Sequence, residues 1–333
     1  LTKLSHFCIF KNMKKILSAA LLFILLIITI FLVKKGPSES KSVSKTAFGL
    51  DTVITITIYD GGADTEATLD GCFSLLKDYE SLFSRTIEES DVYKINHAEG
   101  SPVLVSSDTY ELVKLAVSYA EMSERLVDPT IGSVSELWDF HSESPSLPDA
   151  KALAEAVKHV NYKNVVFDDS AETITLSDPE ARLDLGFIAK GYIADRIKEY
   201  LIDKGVKSAV INLGGNVLAV GSKPDGSPFK IGIQDPGKPT GTPYTTLDIT
   251  DKSVVSSGSY ERNFVIDGIT YHHILDPKTG YPVDTDLASA SIISETSVEG
   301  DALSTYLFIL GEAKAKEYAS KHSDIEILLI PKE

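Results

Sequence analysis

Cysteine is almost absent: the 333 residues hold two, Cys8 and Cys72, with two methionines and a single tryptophan. Cys8 precedes a long apolar segment and Cys72 follows it, so a membrane at that segment would keep the two apart. No cysteine-based metal site can be built from such a pair. A chain of this length has enough apolar surface to fold on its core alone. Positive charge is scarce as well. Residues 1–35 carry six lysines and no acid, and the remainder then carries an excess of 22 negative charges. A body of that sign repels nucleic acid, which needs a basic footprint, and one that binds a phosphorylated ligand needs a cation to do so. The sequence also lacks a P-loop, a G-x-G-x-x-G turn, a G-x-S-x-G elbow and any pair of histidines at helical spacing. These gaps set aside the common nucleotide-binding, serine-hydrolase and zinc-hydrolase patterns.

One long apolar run is present. Ile16–Val33 is 18 residues without charge, flanked by Lys14, Lys15, Lys34 and Lys35. It reaches spanning length for a helix and reads as an uncleaved signal anchor, with a cleaved signal peptide as the alternative. Residues 1–15 are then a cytoplasmic or upstream extension, and the Ser- and Lys-bearing stretch 34–46 is a linker. Residues 47–333 form the folded domain. Within it TVITITIY alternates as a strand, residues 67–85 and 106–124 have helical spacing, and VVFDD with TITLS forms a hairpin. NFVIDGITYHHILDP is a second hairpin, with Asp267-Gly268 as its turn. Strands and helices mix without βαβ alternation, which predicts an α+β fold.

Several segments hold chemistry, each with a plainer reading beside it. LDLGFIAKGY puts Asp184, Gly186 and Lys190 at a strand-to-helix junction, a place for a phosphate or simply a capped helix. INLGGN has two glycines at a strand end, for close approach of a ligand or for a bulge. Asp301 and Thr305 are four apart and share a helix face. With carbonyl oxygens they form a hard-oxygen set suited to Mg²⁺, or else a cap and a packed Thr. Trp138 is a core residue or a wall for an aromatic ring. His272 and His273 are adjacent, so on a strand they point to opposite faces and do not share one metal.

Taken together and in order, LDTVITITIYD, SLFSRTIEESDVYKIN, VDPTIGSVSELWDF, LDLGFIAKGYIADRI, AVINLGGNVLAVG, FKIGIQDP, SSGSYERNF, HHILDPKTGYPV and GDALSTYLFILG resemble the FAD:protein FMN transferases, the ApbE-like flavin transferases. The matching segments run from about residue 47 to 312. The resemblance implies an exported or membrane-anchored α+β enzyme with mixed, largely antiparallel sheets and packed helices. Such an enzyme uses Mg²⁺ and FAD to attach FMN through a phosphoester to a Thr or Ser of a partner protein, releasing AMP. By resemblance the metal site falls on Asp301, Thr305 and Ser304 and on the carbonyl of Phe187, where the family usually has Gly or Ala. FAD contacts fall on Asp184, Lys190, His273 and Ser84 and on Leu137, Trp138 and Asp139. Leu50 stands where the family often has Met, within Leu50-Asp51-Thr52 in place of Met-Gly-Thr. His273 is the candidate proton acceptor, or an FAD contact alone. The implied partners are flavinylated subunits of membrane electron-transfer complexes or exported flavoproteins, with the catalytic domain outside the cytoplasm. An FAD pyrophosphatase and a non-catalytic flavin-binding protein are the competing readings.

Overall fold

Alternation of Thr and Ile through residues 52–58 builds half of the first hairpin in this computed structural model, which describes residues 42–138, 140 and 144–332. Strand β1 (Val43–Gly49) pairs with β2 (Thr52–Ile58), and Ile54, Ile56 and Ile58 of β2 are fully buried. The opposite face carries a hydroxyl ladder. Ser44 and Thr57 share a hydrogen bond of 2.9 Å, as do Thr46 and Thr55. Residues 43–46 were expected to be linker, and the structure corrects this: their Ser-Lys-Thr composition matches a tether, but here Ser44 and Thr46 line the outer face of an edge strand while Lys45 reaches helix α1 (Thr65–Phe83). The predicted anchor, residues 16–33, lies outside the described residues. Among the described residues no helix is long and apolar enough to cross a membrane.

The hairpin opens a seven-stranded sheet ordered β1-β2-β6-β7-β10-β13-β14, with every neighbouring pair antiparallel. Its other strands are β6 (Ser208–Leu213), β7 (Asn216–Gly221), β10 (Ser253–Gly258), β13 (Leu287–Ser294) and β14 (Glu326–Pro331). Three small sheets flank it: β3 (Val103–Leu104) with β5 (Thr173–Leu176) and β4 (Val165–Asp168), β8 (Phe229–Gln234) with β9 (Pro243–Ile249), and β11 (Asn263–Ile266) with β12 (Ile269–His272). The helices are α1 (Thr65–Phe83), α2 (Asp91–Asn96), α3 (Ser107–Met122), α4 (Gly132–Ser135), α5 (Ala150–Ala156), α6 (Ala189–Asp203), α7 (Ser297–Leu310) and α8 (Glu312–Ser320). Mixed helices with largely antiparallel sheets are the expected α+β class.

The largest core lies between the sheet and α1 and α6. It joins Ile54, Ile56 and Ile211 to Leu69, Leu76, Ile193 and Ile197. Cys72 is buried there, and burial pushes its thiol up to about 12, so it behaves as a small apolar residue. The hairpin β8–β9 covers part of the opposite face through Phe229, Ile233 and Ile249 against Val254 and Ile293.

Two helices fix the site. The N-terminus of α7 has no side-chain cap from its own Thr296. Asp195 of α6 supplies it, accepting the N–H groups of Ser297 at 2.8 Å and Val298 at 2.9 Å. The same two helices touch at Gly191, where a Cβ would lie 2.4 Å from the Ser297 carbonyl oxygen. Only glycine permits that approach.

Candidate active site

A cleft of about 900 Å³ opens beside the main sheet, and a cavity of about 40 Å³ lies at its floor. The first is the size of a pocket for a large small-molecule ligand. The second is almost wholly polar in lining, with Asp301, Thr305, Ser257 and Asn216 among its walls.

Asp301 is 4 % exposed. Its Oδ2 accepts the Gly191 N–H at 2.8 Å. In a regular helix that N–H would return to the carbonyl of Phe187, four residues back. Diverting it to Asp301 leaves the Phe187 carbonyl outside the α6 ladder. Burial pushes the Asp301 carboxyl above the usual range, and Lys190 and the Gly191 N–H only partly oppose this. The side-chain amide of Asn216 faces Asp301, but its nitrogen has no hydrogen bond of ordinary geometry. The site is therefore short of positive charge. One turn on, the Thr305 hydroxyl meets Ser257 Oγ at 3.1 Å. Ser304 is turned inward: its hydroxyl donates to the Asp301 carbonyl at 2.9 Å and also meets Ser257 Oγ at 2.9 Å. Among the described residues no group of three or more His, Cys, Asp and Glu side chains is placed to hold a metal ion. Asp301 with the Thr305 hydroxyl is a hard-oxygen set, which suits Mg²⁺ rather than zinc.

Asp184, Phe187, Lys190, His273 and Trp138 all border the large cleft. Asp184 is held on three sides: Oδ1 accepts the Gly186 N–H at 2.9 Å, Oδ2 accepts the Ser135 hydroxyl at 2.7 Å, and Arg85 Nε lies 3.5 Å away. Trp138 donates its indole N–H to the Gly280 carbonyl at 2.8 Å and stacks on Phe140 with centroids 5.4 Å apart. It is thus both core and wall. In the turn after Leu275, Asp276 accepts the N–H groups of Lys278 and Gly280 at 2.8 Å.

The structure places other expected residues elsewhere. Leu50 packs on the main core, its N–H bound to Glu80 at 2.8 Å, while its neighbours Asp51 and Thr52 border the cleft. Leu50 and Asp51 both have left-handed backbone, φ 50° and 57°, as a tight hairpin turn requires. Ser84 sits at the end of α1 and accepts the N–H groups of Thr86 and Ile87; it is Arg85 that enters the cleft. Leu137 is at the surface, away from the cleft lining. Asp139 lies outside the described residues.

The histidines part as strand geometry requires, but neither is a surface residue. His272 is 4 % exposed and meets the Phe308 ring edge-on at 5.8 Å. It is a packed core residue. His273 borders both cavities, with Nδ1 3.4 Å from the Arg262 carbonyl. Burial, Arg262 and Lys190 lower its pKa to about 3, so the ring is neutral.

Reading residues singly misses Ser257, Asn216, Glu261 and Arg262, although three of them stand in SSGSYERNF. The available signal was polar side chains clustered directly after the buried VV of β10. Glu261 is open to the cleft yet enclosed by its walls, and burial pushes its carboxyl up to about 7.

An α+β domain with a deep cleft, cationic side chains on its wall and one under-compensated carboxylate at its floor has the makings of an enzyme pocket for a phosphorylated ligand. Comparison with known proteins narrows this. The model of the ApbE family matches residues 50–329, and the chain belongs to that family. A Klebsiella pneumoniae protein named FAD:protein FMN transferase is 36% identical over 296 residues, 89% of this chain and 91% of its own. One of the same name from Treponema pallidum is 33% identical, over 89% of this chain and 86% of its own. Among solved structures, the ApbE protein of Thermotoga maritima superposes with a TM-score of 0.80 at 34% identity, covering 87% of this chain and 94% of that one. The flavin transferase ApbE of Vibrio cholerae gives 0.78 at 25% identity, covering 88% and 94%.

Proposed function

We propose that this chain transfers FMN from FAD to a hydroxyl of a partner protein, with release of AMP and dependence on Mg²⁺. The observation that carries the reading is the buried Asp301 carboxylate with Thr305, set beneath a cleft large enough for FAD that Phe187 also borders, in a chain of the ApbE family. Asp301, Thr305 and the Phe187 carbonyl would hold Mg²⁺, with Ser304 fixing the helix turn between the two side chains. When bound, the cation supplies neutralisation of the pyrophosphate and of the charge that grows on departing AMP.

The protein's own groups do the rest. Lys190 borders both chambers and brings a positive charge to the phosphates. Neutral His273 hydrogen-bonds the ligand, since its pKa of about 3 leaves it uncharged at neutral pH. Trp138 and Phe140 offer a stacked aromatic wall for one of the ring systems. The acceptor hydroxyl then needs alignment and somewhere to leave its proton. The acceptor is a membrane or exported electron-transfer flavoprotein, and residues 16–33 hold the domain at the extracytoplasmic face of the cell membrane.

Incubation with FAD, Mg²⁺ and a threonine-bearing acceptor domain tests this. The acceptor gains the mass of FMN less one water, AMP appears in equal amount, and EDTA stops both. Free FMN and AMP with an unlabelled acceptor would instead identify an FAD pyrophosphatase.

A further inference from the structure

The first hairpin holds an apolar pair in the open beside the cleft. Phe48 is 76 % exposed and Val53 60 %. They stand directly opposite each other in the β1–β2 register, so they share one face of the sheet. It is the face turned away from α1: Ile54, Ile56 and Ile58 point into the core, and Val53 and Thr55 alternate with them on the other side. Val53 and Thr55 also line the cleft. The open face is thus the cleft wall carried outward toward the edge of the sheet, with Phe48 just beyond the rim.

This face suits a cover. Its polar members, Ser44, Thr46, Thr55 and Thr57, bond to one another in pairs at 2.9 Å. Burying hydroxyls already paired costs less than burying free ones. Neither the apolar pair nor these hydroxyls carry charge, on a body with an excess of acid. The hairpin tip is also fixed. Leu50 packs on the core and gives its N–H to Glu80, and the Asp51 carbonyl accepts from Arg262 Nη2 at 3.3 Å. Leu50 and Asp51 hold left-handed backbone, a conformation that side chains of this kind adopt at a cost. Phe48 and Val53 are therefore presented in one arrangement.

The chain leading into β1 is a poor match for the pair, since Gly36-Pro37-Ser38-Glu39-Ser40-Lys41 offers no apolar side chain larger than proline. A lipid surface is a poor match too: no lysine or arginine stands on this face, and acidic Asp51 is at the tip. A partner threonine, by contrast, reaches the cleft only if its own chain lies across the rim. We propose that the Phe48–Val53 face docks the acceptor protein, an inference that rests on the flavin-transferase reading above. The acceptor lays an uncharged, apolar-flanked segment over the pair, which brings its threonine hydroxyl over the cleft.

The test is Phe48→Thr in the full chain, which keeps a strand-forming residue at an exposed position. Labelling of the threonine-bearing acceptor domain is followed at saturating FAD and Mg²⁺. KM for the acceptor rises about tenfold or more, while kcat changes by less than about twofold. FAD affinity, read by quenching of flavin fluorescence, and the unfolding midpoint stay as in wild type. Phe48→Leu restores most of the wild-type KM. Val265→Thr, at another valine that is 60 % exposed, leaves KM unchanged. In calorimetry, an acceptor domain whose threonine is changed to valine binds Phe48→Thr about tenfold more weakly than wild type. An equal rise in KM with Val265→Thr overturns the proposal, since the attraction would then be diffuse. So does an unchanged KM in Phe48→Thr, whether gel filtration then shows the face joining two copies or hydrogen exchange in lipid vesicles shows it lying on the membrane. Normal labelling with that unchanged KM removes the docking face alone. A wild type that labels no acceptor removes the transferase reading, and the docking face with it.

Discussion

His272 and His273 are neighbours in sequence and strangers in space. His272 closes a core of Phe308, Ile274 and Leu287, donating its Nε2–H to the Val283 carbonyl at 3.2 Å, with Nδ1 buried and unpartnered. Burial lowers its pKa to about 4. The folded protein therefore resists a proton that the unfolded chain takes up near pH 6.5. The unfolded state binds more protons between these values, so stability conferred by the neutral ring is full above about pH 6.5 and lost as pH falls toward 4. His272→Gln, which keeps a donor for Val283, lowers stability at pH 7 by about 1–3 kcal/mol through poorer packing. That gap narrows as pH falls from 7 to 4, because only the wild type loses stability through this ring. Urea denaturation of both proteins across that range measures it. A gap independent of pH would show that the buried ring titrates normally. His273→Ala, by contrast, leaves the unfolding midpoint little changed and weakens FAD binding.

At the scale of elements, hairpins were the most legible part of the fold. Asp267-Gly268 and the double glycine of INLGGN mark turns whose positive φ values the structure contains. Asp301 and Thr305 were legible because helical spacing alone puts them on one face. The freed Phe187 carbonyl was not, since it depends on Gly191 turning its N–H to a carboxylate 110 residues away in sequence. The place of Ser257 and Glu261 in the site was hidden for the same reason, being set by contacts between distant strands and helices. β9 was missed because PYTTLDI exposes most of its residues, and β1 because Ser, Lys and Thr look like a tether. The β1 correction has a direct test. A chain starting at Ser42 retains the whole first hairpin and unfolds like the full domain. One starting at Ala47 loses four ladder residues, the two hydroxyl pairs and partly buried Val43. It is less stable by about 2 kcal/mol, a few degrees in melting temperature for a domain of this size. Equal melting temperatures would return residues 43–46 to the linker.

The molecule as a whole is acidic, and its ligand by the proposed function is a doubly charged pyrophosphate. The cleft does not reverse the sign of the body. Arg85, Lys190 and Arg262 on its wall are met by Asp51, Asp184 and Glu261, and Asp301 lies beneath. Arg85 is further engaged with Asp184 at 3.5 Å. Such a cleft has no surplus positive charge for phosphates, so affinity for FAD has to come in large part with the cation. In wild type, Mg²⁺ is expected to tighten FAD binding by about tenfold or more, about 1.4 kcal/mol. Asp301→Asn removes the carboxylate proposed to hold the cation while keeping an acceptor for the Gly191 N–H. Without metal, this variant binds FAD as tightly as wild type or more so, because one negative charge no longer faces the phosphates. Added Mg²⁺ then brings little further gain, and AMP release stays near background. Calorimetric titration of FAD at fixed ionic strength, with and without Mg²⁺, separates the two effects. An Asp301→Asn protein with the full wild-type response to Mg²⁺ would place the cation elsewhere.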